Sequence, residues 1–322
     1  MNQVMKTGVL LLNFGGPRSL TEVKPFLLDL FSTPEILSGI PKILRPFFAR
    51  FIVAIKLKKS VAAYRLIGGH SPLVSWTTRQ ASELKAALKH ENLDFSVELG
   101  MLAGKPSIED ALLSLKNTGV EKLILLPLFP QYSLTTAGAS LRRTKEVLSN
   151  FSQWKPEIAA IESWCKNRNY LALENIYLKE TLLHLDDKKI SHVLFTAHSL
   201  PVKLIEMGDP YQRQVQELYE AITTGLEFNH SLCYQSKSSS SRWLEPSVED
   251  EIARLIKNGV EQIVIFPLSF VSDHIETLCE LDMVYRKTIE RQGIAYYRTP
   301  SFNDDPRFIS FLKSLVLETV KR

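Results

Sequence analysis

Short unbroken apolar runs alternate with longer stretches of helical spacing along this chain. Gly8 to Phe14, Val193-Leu194-Phe195 and Gln262-Ile263-Val264-Ile265-Phe266 are of the type that parallel strands, covered on both faces, require. Ile43, Leu44, Phe47, Phe48, Phe51, Ile52 and Ile55 instead recur at roughly helical spacing, which predicts an amphipathic helix. A last helix is predicted over about Asp305 to Lys321.

The pattern repeats. Residues 106–129 read Pro-Ser-Ile-Glu-Asp, a helical stretch, Gly119-Val120-Glu121, an apolar strand and Pro127-Leu128. Residues 246–269 read Pro-Ser-Val-Glu-Asp, a helical stretch, Gly259-Val260-Glu261, an apolar strand and Pro267-Leu268. The offset is a constant 140, and 10 of 24 positions are identical. Ser107 and Ser247 stand where N-caps belong, with acids in the first turn where the helix dipole favours them. Gly119 and Gly259 stand where helices end. A weaker match sets Val9–Pro17 beside Val193–Pro201 at an offset of 184, which places Phe14 opposite His198 and any insertion in the first half.

Such alternation predicts an α/β protein of two similar Rossmann-like lobes, each a mainly parallel sheet flanked by helices, facing each other across a cleft. The expected boundaries are 1–168 for the first lobe, with an apolar and basic lip at about 25–59, and 169–304 for the second. The helix at 305–322 is expected to pack back on the first.

Composition narrows the class. With 322 residues, 45% apolar and 23% charged, the chain has material for packed cores and no mark of wholesale disorder. A net charge of +4 does not imply a nucleic-acid partner. Cys165, Cys233 and Cys279 are scattered and form no Cys-x-x-Cys, which argues against a disulfide frame or a structural zinc site. No apolar stretch approaches a membrane span and no secretory signal is visible, so a cytoplasmic protein is expected. Charge is uneven, however. No acidic residue lies between Glu35 and Glu83, whereas Lys42, Arg45, Arg50, Lys56, Lys58, Lys59, Arg65 and Arg79 do. A basic amphipathic helix of this kind reads as an element that lies on a membrane surface or faces anions.

Residues just past the carboxyl ends of parallel strands line the ligand crevice of an open sheet. Two polar segments fall there: Ala197-His198-Ser199, and Ser272-Asp273-His274-Ile275-Glu276-Thr277-Leu278. If a helix starts at Ser272 or Asp273, then Asp273, Glu276 and Glu280 share one face and His274 points away from Glu276. Like charges one turn apart are unfavourable on a solvated helix, so a face of this kind needs a function such as metal transfer or proton relay. Leu12-Asn13-Phe14-Gly15-Gly16-Pro17 lacks the third glycine of a dinucleotide fingerprint and reads as a tight turn. Tyr234-Gln235-Ser236-Lys237, Ser238 to Ser241 and Arg242-Trp243 read as a flexible polar loop with an exposed indole.

Taken together, several runs resemble the ferrochelatases, which insert ferrous iron into a porphyrin. They are Leu-Leu-Asn-Phe-Gly-Gly-Pro (11–17), Tyr-Arg-Leu-Ile-Gly-Gly-His-Ser-Pro-Leu (64–73), Pro-Gln-Tyr-Ser (130–133) and Phe-Thr-Ala-His-Ser-Leu-Pro (195–201). Gly-Asp-Pro-Tyr (208–211), Tyr-Gln-Ser-Lys (234–237), Trp-Leu-Glu-Pro (243–246) and Phe-Val-Ser-Asp-His-Ile-Glu-Thr-Leu-Cys-Glu-Leu-Asp (270–282) complete the set, in order along the chain. The resemblance implies that His198 and Glu276 face the metal, with Asp273 and Glu280 as an acidic relay. It makes Phe14, Tyr132 and Trp243 candidates for steric work on the macrocycle, Ser71 and Ser236 polar edge contacts, and Lys56 a partner for substrate propionates.

It further implies a lip that receives porphyrin at the inner face of a membrane. Fe2+ and porphyrin are then substrates, with no permanently bound cofactor. Some relatives hold an iron–sulfur cluster through cysteines near the C-terminus; none follows Cys279 here, so no cluster is expected. Leu102-Ala103 stand where the family commonly carries Arg-Tyr, and the contact made by that pair is missing. Phe14 replaces a tyrosine of the coproporphyrin III branch, which favours protoporphyrin IX. The rival readings are a cobalt chelatase for a corrin precursor, a two-lobed tetrapyrrole carrier and an NAD-dependent oxidoreductase.

Overall fold

The computed structural model describes residues 5–37, 40–41, 43–91, 94–237 and 242–321. Lys42 and Ser238 to Ser241 lie outside the described residues. The chain divides into two units: everything up to Ser163 together with the chain from Phe302 onward, and Trp164–Ser301. The first crossing falls a little before the expected 168–169, because the Trp164 ring packs edge-on against Tyr170, 4.7 Å between centroids, and so belongs with the helix that follows it.

In the first unit, β1 (Thr7–Asn13) lies between β2 (Phe95–Met101) and β3 (Lys122–Pro127), and β4 (Glu157–Ala160) flanks β3. All pairings are parallel. In the second, β5 (Ser191–His198) lies between β6 (Asn229–Gln235) and β7 (Gln262–Pro267), with β8 (Ala295–Arg298) outside β7, again all parallel. The two sheets therefore share one strand order. Every residue of β1, β3 and β7 is buried, which is why these strands read as unbroken apolar runs.

The repeat found at offset 140 holds in space. It is α4 (Ile108–Asn117) followed by β3 in one unit, and α9 (Val248–Lys257) followed by β7 in the other. Ser107 Oγ accepts from the Asp110 amide while the Asp110 carboxylate accepts from the Ser107 amide, and Ser247 Oγ caps α9 through the Asp250 amide. Gly119 and Gly259 both adopt positive φ, 75° and 72°, the left-handed turn that releases a helix end. Each unit has its own core, built around Leu112, Leu115, Leu123 and Leu125 in one and Ile252, Leu255, Ile263 and Ile265 in the other.

The inserted length of the first half lies between β1 and β2. It contains α1 (Val23–Phe31), α2 (Arg45–Leu66) and α3 (Leu73–Leu88), where the second unit has only α7 (Val202–Glu206) and α8 (Tyr211–Thr223). On α2 the small residues Ala49 and Val53 face inward, whereas Phe47, Phe51 and Ile55 are 69%, 59% and 66% exposed. The helix expected at the C-terminus is α11 (Pro306–Val320), which packs on α3 within the first unit. The other helices are α5 (Ala137–Ser149), α6 (Arg168–Leu182), a π-helix (Glu276–Tyr285) and its continuation α10 (Arg286–Glu290).

Candidate active site

β5 ends on His198, in register with Gln235 at the end of β6. After β7 the chain makes a non-helical turn through Ser272–His274 before the π-helix starts. His274 closes that turn: its amide donates to Thr277 Oγ1, which donates back to the His274 carbonyl, both at 3.0 Å. Because the helix starts later than Ser272 or Asp273, the expected placement of two side chains is corrected. His274 does not point away; its Nε2 lies 3.3 Å from Glu276 Oε2. His198 Nε2 lies 3.4 Å from Glu276 Oε1. One carboxylate thus stands between two imidazoles. It is not sealed in packing: the His198 and Glu276 side chains are 32% and 26% exposed.

Electrostatics follow from that placement. His198 Nδ1 donates to the Ser199 carbonyl at 2.5 Å, and Nε2 faces a carboxylate. Both partners only accept, so the ring satisfies them together only as imidazolium. Loss of water lowers its hold on the proton, but the Glu276 charge, the hydrogen bond to it, the Ser199 carbonyl and Glu280 outweigh that, and the imidazole is pushed up to about 9. Burial raises Glu276, yet the two imidazoles prevail and hold it well below the usual carboxylate range. Glu280 moves the other way, raised by burial and then by the Glu276 charge. The two carboxyls, one turn apart, thus have proton affinities pushed in opposite directions.

Glu280 is held by β6. Ser236 Oγ donates to Glu280 Oε2 at 2.6 Å, and Gln235 Nε2 reaches both that oxygen and the Glu276 carbonyl at 3.4 Å. Ser236 sits at φ 67°, a left-handed conformation that costs a serine about 1 kcal/mol or more and clusters at functional sites. Asp273 is not part of this group. It precedes the helix, accepts from Ser301 Oγ at 3.0 Å and pairs with Arg298 Nη2 at 3.1 Å. The expected common face of Asp273, Glu276 and Glu280 is therefore corrected to Glu276 and Glu280 alone. Among the described residues no group of three or more His, Cys, Asp or Glu converges as a metal cage.

Of the other expected contacts, Ser236 borders this site and Trp243 is buried within the second unit, 8% exposed, with its backbone bridged to Pro201. The exposed indole is corrected accordingly: pairing of the 243 segment to residue 201 folds the ring inward. Phe14, Ser71, Tyr132 and Lys56 belong to the first unit. Phe14 follows β1 and is half-buried, and its carbonyl accepts from the Ala103 amide. A Cβ on Gly15 would lie 2.0 Å from the Ala103 carbonyl oxygen and one on Gly16 2.5 Å from Ser71 Cβ. Those approaches are why the turn after β1 carries two glycines. Ser71 is buried and its Oγ accepts from the Leu73 amide at the start of α3. Tyr132 is half-buried against the first core, and Lys56 is half-buried on α2.

Reading the sequence alone missed His274, Gln235 and Arg298. For His274 the signal was present: Ser272-Asp273 are residues that favour turns over helix interiors, which puts the helix start beyond them. Gln235 and Arg298 end strands, but nothing local marks their partners.

The two-unit α/β fold, with one parallel sheet in each unit, is shared with solved chelatases. The chain shares its fold with SirB of Bacillus subtilis with Fe3+ (TM-score 0.58, 12% identity, covering 98% of this chain and 96% of that one). It also shares it with the sirohydrochlorin chelatase SirB of Bacillus subtilis subspecies spizizenii in complex with cobalt (TM-score 0.54, 12% identity).

Within that class the chain belongs to the ferrochelatase family, whose profile matches residues 6–320. It is 39% identical over 321 residues to a ferrochelatase of Trichodesmium erythraeum, covering 98% of this chain and 83% of the relative. It is also 39% identical to one of Desulfotalea psychrophila, covering 98% of both, and 40% identical to one of Citrifermentans bemidjiense, covering 98% and 99%. Its activity is accordingly insertion of Fe2+ into a porphyrin in haem biosynthesis, a lyase reaction, which sets aside the cobalt-chelatase, carrier and oxidoreductase readings.

Proposed function

We propose that the porphyrin is protoporphyrin IX and that His198 and Glu276 face the metal, with Glu280 carrying protons away. The carrying observation is the Glu276 carboxylate held between His198 and His274. Metallation removes two pyrrole N–H protons as Fe2+ enters. His198 is a competent base only when it holds no proton of its own, and in the ion pair it holds one. Fe2+ arriving at Glu276 cancels the charge that keeps His198 protonated and repels the imidazolium, so His198 gives its proton to solvent by way of Glu280 and is freed as the base. His198 then takes the first pyrrole proton, hands it to Glu280, whose affinity is raised, and takes the second; Glu280 releases each to solvent. A mixed nitrogen and oxygen donor set suits Fe(II), and few ligands suit an ion that must leave. The reading needs no resident cofactor, since iron is substrate.

In the first unit, Phe14 and Tyr132 follow the buried strands β1 and β3, where ligands of open sheets are met; both are proposed as porphyrin contacts and Lys56 as a propionate partner. Phe14, in place of a tyrosine, supports protoporphyrin IX over coproporphyrin III. The exposed apolar side of α2, with Arg50, Lys58 and Lys59 on the same helix, supports peripheral contact with an anionic membrane. Among the described residues no helix is long and apolar enough to cross one.

The test is anaerobic turnover of Fe2+ with each porphyrin in parallel, for the wild type and His198→Ala. Protoporphyrin IX is expected to be the better substrate, and His198→Ala is expected to stay folded and bind porphyrin without metallating it. Near-normal turnover by that variant removes His198 from the mechanism.

A further inference from the structure

We infer that Arg298 is a positioning residue for iron insertion: one guanidinium ties Asp273 and Asp282 together and so holds between them the segment that carries Glu276 and Glu280. The inference rests on the reading of those two glutamates as the working carboxylates.

Arg298 closes β8, in register with Ile265 of β7, and its side chain is 11% exposed. Its Nε and Nη2 donate to the two Asp282 oxygens at 2.6 and 2.9 Å, a bidentate pair. The same Nη2 lies 3.1 Å from Asp273 Oδ1, and Nη1 donates to the Thr299 carbonyl at 3.3 Å. Asp273 stands just before the π-helix and Asp282 within its second half. Both glutamates lie on the backbone between these two anchors. Tyr296, two residues earlier on β8, adds a hydrogen bond from its hydroxyl to the Leu281 carbonyl at 3.0 Å.

The need for an external tie follows from the helix type. At its end the Arg286 amide reaches back to the Leu281 carbonyl, the wide i→i+5 pattern, which is rarely sustained beyond a single turn. Four carboxylates within ten residues (Asp273, Glu276, Glu280 and Asp282) would also repel one another. A planar guanidinium has five donors in a fixed fork, so it spans two carboxylates at once, whereas a lysine ammonium is a single point charge. The edge strand of the second sheet thereby sets the position from which Glu276 meets His198.

Arg298→Lys and Asp282→Asn in the full-length protein test this. Circular dichroism gives the folded fraction, fluorescence quenching gives porphyrin affinity, and steady-state assays with Zn2+ or Fe2+ give kcat and the KM for metal. In folded variants, porphyrin affinity is expected within about twofold of wild type while kcat/KM for the metal falls about tenfold or more. A role in stability alone would lower the melting temperature and leave metal kinetics at 25 °C unchanged, and that result overturns the proposal. If Arg298→Lys does not fold, Asp282→Asn, which keeps the Asp273 pair, carries the test; failure of both to fold also overturns it. His198→Ala run alongside separates the two readings. An active His198→Ala sinks the site itself, whereas an inactive one with normal metal kinetics in Arg298→Lys sinks only the positioning role.

Discussion

Glu276 between His198 and His274 sets the protonation of its neighbours, and a single substitution isolates the effect. With the carboxylate made neutral in Glu276→Gln, burial is left as the dominant influence on His198. Its titration midpoint is then expected to fall from about 9 to 6.5 or below, read by NMR of the ring protons. The sign for stability follows. A histidine raised in the folded state contributes fully below its unfolded value of 6.5 and loses that contribution as pH rises through about 9. The wild type should therefore lose more stability than Glu276→Gln between those two pH values; equal slopes would show that the pair is not coupled. His198 and Glu276 were legible in the sequence because one closes a buried strand and the other lies in the polar segment that follows one. His274 was legible only through Ser272-Asp273, which favour a turn: its direction depends on where the helix begins, and a shift of two residues turns a side chain by about 200°, a little over half a turn.

Among the elements, α2 shows a periodic apolar stripe that faces outward, as its basic, acid-free composition led one to expect. The recurrence of Phe47, Phe51 and Ile55 predicts a helix, and the helix is present. Its large side chains are exposed and the small ones, Ala49 and Val53, are buried. Close approach of α1 to α2 favours small residues at the contact and leaves the aromatics outward. Exposed stripes of this kind mark surfaces that bind something. The double variant Phe47→Glu/Phe51→Glu is expected to lose sedimentation with anionic vesicles, while its stability changes by no more than about 0.5 kcal/mol per site. Unchanged vesicle binding would dissociate α2 from the membrane. The helices α4 and α9, by contrast, were legible to the cap, because Ser107, Ser247, Gly119 and Gly259 act on their own neighbouring backbone.

At the scale of the molecule, the chain builds the same four-stranded order twice and then returns α11 to the unit with which it began. Phe308, Phe311 and Leu312 of α11 are buried in that first unit. Leu312→Ala is expected to cost about 2–5 kcal/mol and to raise amide exchange in α3. Exchange in Trp164–Ser301 should stay near wild type, because each unit has its own core. Equal loss of protection in both units would show that they unfold as one. The repeat at a fixed offset made the doubled architecture legible. The return of α11 was only an expectation, since nothing in a helix's own periodicity says which surface it covers.

The sequence by itself determined the elements, their doubled order, the strand ends that carry His198 and the carboxylates, and the family. Those are local or serial properties: burial of a strand, a cap on its own helix, motifs in order. Only the tertiary structure decided that His274 joins Glu276, that Asp273 answers to Arg298 instead and that Trp243 turns inward. Asp273 and Trp243 depend on partners far along the chain, Arg298 and Pro201, and the energy of such a pair is not written in either residue's own neighbourhood; His274 depends on the residue at which the helix after it begins.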